Sequence, residues 1–209
     1  RMAVDLQESY AGLERKVEDR TQELRESTRA LARSVVELKA LGEVGQAVSS
    51  TLDLRRVLET VVTRAVELGE AQGGAIFRYR RKSREFFLWH AAGLDEGMES
   101  ALRDMRVPAG ETVMGETVRT HEPVQIPDLA ALPAMPLRDL SIAAGYRAVL
   151  IVPLVRADRI FGAIVLQRRQ TGEFPQNTVN LLRTFASQSS LAIQNARLFR
   201  EIEEKGRQI

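Results

Sequence analysis

Cysteine is absent from the 209 residues. No disulfide, thiolate zinc site, cysteine nucleophile or thioether-linked group can therefore form. Histidine is scarce, with His90 and His121 far apart in sequence. His121 reads as a turn residue, and His90 as a half-buried strand residue facing a pocket. Aromatic residues make up only 5 % of the chain. No apolar run approaches the roughly 18 residues a membrane-crossing helix needs. Neither sign of charge dominates: 30 basic and 28 acidic side chains leave a net charge of +2. Without a concentrated positive face, no nucleic-acid partner is expected. A phosphate-cradling glycine loop is missing too, because Gly73-Gly74 lacks the required spacing and following helix. Ser49-Ser50-Thr51 has no histidine nearby and suits a helix cap. Asp95, Glu96 and Glu99 share a helix start, where carboxylates complement the dipole. We expect no catalytic set and no metal site, hence no enzymatic activity in this chain.

What is present is a core-forming composition, 44 % hydrophobic, enough for one domain plus an extra helix, or two small domains. The densest apolar stretch runs from Gly145 to Leu166. Ala148–Val155 and Ile160–Leu166 read as two strands joined by Arg156-Ala157-Asp158-Arg159. Strands apolar at nearly every position are covered on both faces. Pro153 withholds one ladder donor, predicting a bulge or an edge. Gly162 predicts a close approach of another backbone. A second hairpin is predicted from Ala75–Tyr79 and Glu85–Ala91, around the basic tip Arg80-Arg81-Lys82-Ser83-Arg84, a solvated cluster.

Helical patterns surround these strands. From Arg1 to about Ser49, apolar residues recur at Leu6, Tyr10, Leu13, Val17, Leu24, Leu31, Leu38, Leu41 and Val48. With Arg20, Ser27, Ser34 and Gly45 filling the remaining seam positions, these follow alternating steps of four and three, the imperfect seam of a parallel dimeric coiled coil. Asp53 is placed to cap a helix over Leu54–Leu68, whose inner face is Leu54, Val57, Leu58, Val61, Val62, Ala65 and Val66. Shorter helices are expected over Leu94–Met105 and Glu111–Arg119, and short extended pieces at Val107-Pro108 and Val124–Ile126. Pro127–Gly145 shows little regular pattern. A final helix over Gln176–Gly206 carries Leu182, Phe185, Ser189, Ala192, Ala196 and Phe199 on one side. Both ends of the chain read as mid-helix, as in an internal piece of a longer protein.

The order of these features resembles a GAF domain. The resemblance rests on Val107-Pro108-Ala109-Gly110, then Pro123-Val124-Gln125-Ile126-Pro127-Asp128, then Gly145-Tyr146-Arg147 leading into Val152-Pro153-Leu154, Phe161-Gly162-Ala163-Ile164-Val165-Leu166, and the closing Leu181–Leu198. It covers roughly residues 41–198. It implies an α+β fold: a central antiparallel sheet with helices on both faces, preceded by the long N-terminal coiled-coil helix and ended by a long C-terminal one. The implied division is a signalling helix over 1–49, a sensory domain over 50–198 and the start of a connector over 199–209. In this family Pro127–Gly145 closes a ligand pocket over the sheet. Expected walls are Phe77, Trp89, Met114, Val118, Ile126, Leu129, Met135, Leu137, Leu140, Tyr146 and Ile151. Expected polar anchors are His90, Asp128, Arg138 and, first among them, Arg147, whose guanidinium suits an anion. The narrower set expected to bind is Phe77, His90, Met114, Asp128, Leu137, Arg138, Tyr146 and Arg147. The cofactor is left unidentified, though a covalently linked bilin is excluded because there is no cysteine. The Asn-Lys, Phe and Asp-Glu constellation of cyclic-nucleotide binders has no counterpart here.

The resemblance also implies a role. Leu13–Leu24 looks like the connector helices of bacterial sensor histidine kinases. Arg197–Lys205 looks like the lead-in to a kinase dimerisation helix, and equally to a nucleotide cyclase. The expectation is a cytoplasmic sensory and relay module in a two-component system, a homodimer whose full-length protein is attached to the inner membrane and ends in an output domain. Alternatives are a ligand-free dimerisation spacer, a small-molecule reductase on the same scaffold, or the input domain of a cyclase or transcriptional regulator.

Overall fold

The computed structural model describes residues 16–23, 25–26, 28, 53–110 and 112–206. The chain divides into two compact units, Arg1–Ala40 and Leu41–Ile209. In the first unit the described residues are helical. Arg20 Nη1 pairs with Glu23 Oε2 at 2.8 Å, and Gln22 Nε2 donates to Glu26 Oε1 at 3.0 Å. Such i,i+3 and i,i+4 pairs add a few tenths of a kcal/mol each to an exposed helix, ~0.2–0.5 kcal/mol per pair. The remainder of the heptad seam expected through Ser49 lies outside the described residues.

The second unit is built on one six-stranded sheet, in which every pairing is antiparallel. Its strands are β1 Gly73–Arg80, β2 Glu85–Ala92, β3 Val107–Pro108, β4 Val124–Ile126, β5 Ala148–Arg156 and β6 Arg159–Arg168, in the order β3-β2-β1-β6-β5-β4. The helices are α1 Leu54–Leu68, α2 Glu96–Asp104, α3 Val113–Thr120, α4 Pro136–Ala143 and α5 Gln176–Gly206, with a 3-10 turn at Leu129–Ala131. The predicted fold class therefore holds, down to two layers of helix enclosing the sheet.

Each central strand shows why its sequence is apolar throughout. Along β6, Ala163 and Val165 join one core with Phe77, Val149 and Ile151. Leu166 points the other way, toward Val66-side packing of α1 and Leu182 of α5, as the surroundings of Gly69 and Gly74 record. Period-two alternation thus feeds two separate interiors from one strand.

Pro153 stands where its missing donor matters least. β4 pairs with β5 only as far as Ile151, so Pro153 follows the point where that side of β5 becomes a free edge. A register shift follows at Leu154/Val155. Gly162 lies opposite Arg78, and a Cβ there would come within 2.5 Å of the Phe77 carbonyl oxygen. The hairpin turn between β5 and β6 has Ala157 at φ 48° and Asp158 at φ 55°, a left-handed pair that matches the strand twist.

Three sequence readings shift. The Leu94–Met105 helix starts later, at Glu96, because Asp95 is its cap and accepts from Met98 N at 2.8 Å. The Glu111–Arg119 helix becomes Val113–Thr120 and ends on His121 in the left-handed region. Pro127–Gly145 is not irregular: it contains the 3-10 turn and α4, each too short to display a periodic stripe. No helix among the described residues is long and apolar enough to cross a membrane.

Candidate functional site

A small cavity lies on one face of the sheet, beneath the 3-10 turn, α4 and the start of α3. Val149 and Ile151 of β5, Val165 and Gln167 of β6 and Phe77 of β1 form its floor. Met114, Leu129, Leu132 and Leu137 close it from above. Its free volume is about 30 Å³, room for one water-sized sphere. The lining is overwhelmingly apolar, with Thr112, Arg138, Ser141 and Gln167 as polar exceptions.

Of the residues expected to bind, the structure brings Phe77, Met114, Leu137 and Arg138 together around this cavity. The other four stand elsewhere. Arg147 donates through Nη1 to the carbonyls of Tyr146 at 2.8 Å and Ile142 at 3.2 Å, so its charge caps the end of α4. Asp128 accepts from Ala130 N at 2.9 Å and caps the 3-10 turn. Tyr146 is buried in the core, donating to the Gly93 carbonyl at 3.3 Å, and burial raises its phenol pKa. His90 lies in a separate groove with Trp89, Leu58 of α1 and Glu99 of α2. Among the wider expected walls, Ile126, Leu129, Met135 and Ile151 line the cavity, whereas Trp89, Val118 and Leu140 do not.

Arg138 is a tie in the cover. Its Nε donates to the Leu129 carbonyl at 3.1 Å, its Nη2 to Ala130 at 3.3 Å, and its Nη1 pairs with Asp139 at 2.6 Å. Three of its five N–H directions are thus spent, two of them holding the 3-10 turn to α4 and one on the neighbouring Asp139. The Leu129 N–H in turn donates to the Arg147 carbonyl at 2.7 Å. Cover and sheet are pinned at this end, while Leu132, Met135 and Leu137 remain only half-buried.

An outer groove between α3 and the following loop shares Thr112, Val113, Leu132 and Met135 with the inner cavity. These four side chains form the partition between cavity and solvent. Unbranched Met135 is suited to move aside.

Sequence reasoning missed Gln167 and Ser141, the two cavity residues that are both polar and almost fully buried, at 3 % exposure each. Gln167 had a signal. Ala163, Val165 and Gln167 alternate on one face, so the strand rule alone aims that carboxamide inward. No group of three His, Asp or Glu side chains fit to hold a metal occurs among the described residues.

The sequence profile of the GAF domain matches residues 51–194. The chain belongs to the GAF domain family. Solved structures agree on the fold. The GAF domain from a phosphoenolpyruvate-protein phosphotransferase of Coxiella burnetii is 24 % identical, with 80 % of this chain and 98 % of that one covered at a TM-score of 0.66. A free methionine-R-sulfoxide reductase of Neisseria meningitidis, solved with its substrate, is 17 % identical, covering 79 % and 93 % at 0.64. The GAF-B domain of DevS from Mycobacterium smegmatis is 20 % identical, covering 72 % and 99 % at 0.56.

Proposed function

We propose that this chain is a sensory and relay module of a bacterial signal-transduction protein, most simply a sensor histidine kinase, that passes pocket occupancy to helices leading to a C-terminal output domain. One observation carries the reading. β5 forms the cavity floor with Val149 and Ile151, and the same strand seats α5 against the sheet. Anything that moves the floor is one strand's thickness from the output helix. Between two helix packings, a coupling of about 1–3 kcal/mol would suffice.

The helix has a face for a partner. Leu191, Leu198 and Ile202 are 54 %, 50 % and 69 % exposed. With half-buried Asn195 they follow steps of four, three and four, a coiled-coil seam in which Asn would favour a two-stranded pairing. The reading takes the chain to be a parallel homodimer. The reading assigns no catalysis to this chain, which has no cysteine to serve as a nucleophile. It places the module in the cytoplasm of a protein attached to the inner membrane.

Because the chain has no native cysteine, Leu198→Cys gives a clean crosslinking probe. The expected result is an efficient disulfide between protomers, with a yield that changes when the cavity is overfilled by Val165→Phe. A yield insensitive to cavity variants sinks the relay. A second reading, a ligand-free dimerisation spacer, is favoured by the small free volume. It predicts crosslinking without any such sensitivity.

A further inference from the structure

We propose that the cavity selects a small, uncharged, largely apolar molecule that donates a hydrogen bond from an amide-like edge, and that Gln167 is the residue that selects it. This deepens the sensory reading and rests on it. The Gln167 side-chain oxygen is shut off from solvent and has no hydrogen-bond partner. Its carboxamide nitrogen likewise has no partner among the described residues. A buried carbonyl left unpaired is costly, so an apolar residue would serve a merely structural floor better. β6 could hold one readily, since Val165 occupies the neighbouring position on the same face.

Charge narrows the ligand class. An anion would leave water for an apolar lining in which the Gln167 carboxamide N–H alone cannot replace its hydration. Arg138 offers little in compensation, because Asp139 neutralises it and the carbonyls of Leu129 and Ala130 take two more of its donors. A cation would leave water for an apolar lining whose described residues include no carboxylate to pair with it. What remains is a neutral donor. A carboxamide presents a donor and an acceptor side by side, and their assignment can exchange by a flip. A lactam or primary amide matches both at once. The Ser141 hydroxyl lines the same cavity as a second polar contact. With only about 30 Å³ free, entry requires the partition at Leu132 and Met135 to shift. Binding is therefore coupled to movement of the cover.

The test uses three ring-sized probes on the full chain: 2-pyridone, benzene and benzoate. Amide chemical shifts and thermal unfolding are followed. The proposal expects 2-pyridone to bind at least about tenfold more tightly than benzene, with shifts at Val149, Val165 and the Gln167 side-chain amide, and benzoate not to bind. Gln167→Met should remove the 2-pyridone preference and leave benzene binding intact. Without any probe it should raise the melting temperature by about 2–4 °C, because the orphaned group is gone. Benzoate binding as tightly as 2-pyridone, no discrimination between 2-pyridone and benzene, or no binding at all overturns the proposal. Lowered stability in a folded Gln167→Met variant also overturns it. The probe ranking in the unaltered chain stands even if that variant fails to fold. The crosslinking response decides the relay separately: benzene binding without preference removes the ligand class and leaves sensing intact.

Discussion

The two faces of the sheet use the same strands for opposite ends. On one face, α1 and α5 lay continuous helical stripes over the strands. Val57, Val61, Val62 and Ala65 of α1 and Leu182, Phe185, Ala186 and Ile193 of α5 are almost completely buried. On the other, α2, α3, the 3-10 turn and α4 are short. Their contacts leave a cavity, half-buried cover residues and the unpaired carboxamide of Gln167. Long helices can present a full apolar stripe and exclude water; segments of nine residues or fewer cannot. The difference teaches where stability and adaptability reside. The helix face supplies rigidity and a route outward, and the pocket face supplies something that can change.

Paired truncations break or sharpen this contrast most directly. Phe185→Ala on the helix face should cost about 3–5 kcal/mol in denaturant unfolding, whereas Leu137→Ala in the cover should cost about 1–2 kcal/mol. Equal costs would show the two faces to be packed alike. The pocket face is not soft throughout, however. A Cβ on Gly115 of α3 would overlap the Ala109 carbonyl oxygen, so Gly115→Ala should destabilise by about 1–3 kcal/mol and alter the cavity rim. A fold unaffected by this change would place the softness in α3 as well as in α4.

A third comparison is by pH. Burial raises the Tyr146 phenol's pKa, so the folded state favours the protonated ring. Its contribution is complete below the unfolded value of about 10 and is lost as pH rises through the folded value. Tyr146→Phe should therefore flatten the alkaline limb of stability above about pH 10, while the neutral-pH melting temperature moves little. An unchanged alkaline limb would remove Tyr146 from the pocket-face core. The smallest effect belongs to neither face. Ala157 pays for a left-handed conformation in the β5–β6 turn. Ala157→Asn should stabilise by about 0.5–1 kcal/mol, with cavity and helix packing unaltered. A chemical-shift change at Gln167 in that variant would mean that the hairpin communicates with the cavity.

Much of the fold was legible because its signals are local. The inner stripe of α1 and the Asp53 cap agree with the structure residue for residue, apart from half-buried Val66. Gly162 and Pro153 marked a close approach and an edge through covalent geometry alone. The cover was not legible, because helices of this length lack room for a period to repeat. The cavity was legible in part. Apolar walls such as Phe77, Met114 and Leu137 were identified, but polar residues were assigned by chemical suitability for a ligand. Arg147 looked like an anion anchor until its carbonyl partners at Tyr146 and Ile142 were seen.

By itself, then, the sequence determined the strands, the capped helices, the absence of cysteine chemistry and the family. These follow from residue identity, spacing and backbone restriction. The tertiary structure alone decided that Arg138 ties down the cover, that Arg147 and Asp128 end or begin short helical segments, and that Gln167 is left without a partner. Whether a polar side chain is spent or available depends on which distant backbone carbonyls and N–H groups come within about 3 Å of it. Only the folded chain brings those groups together.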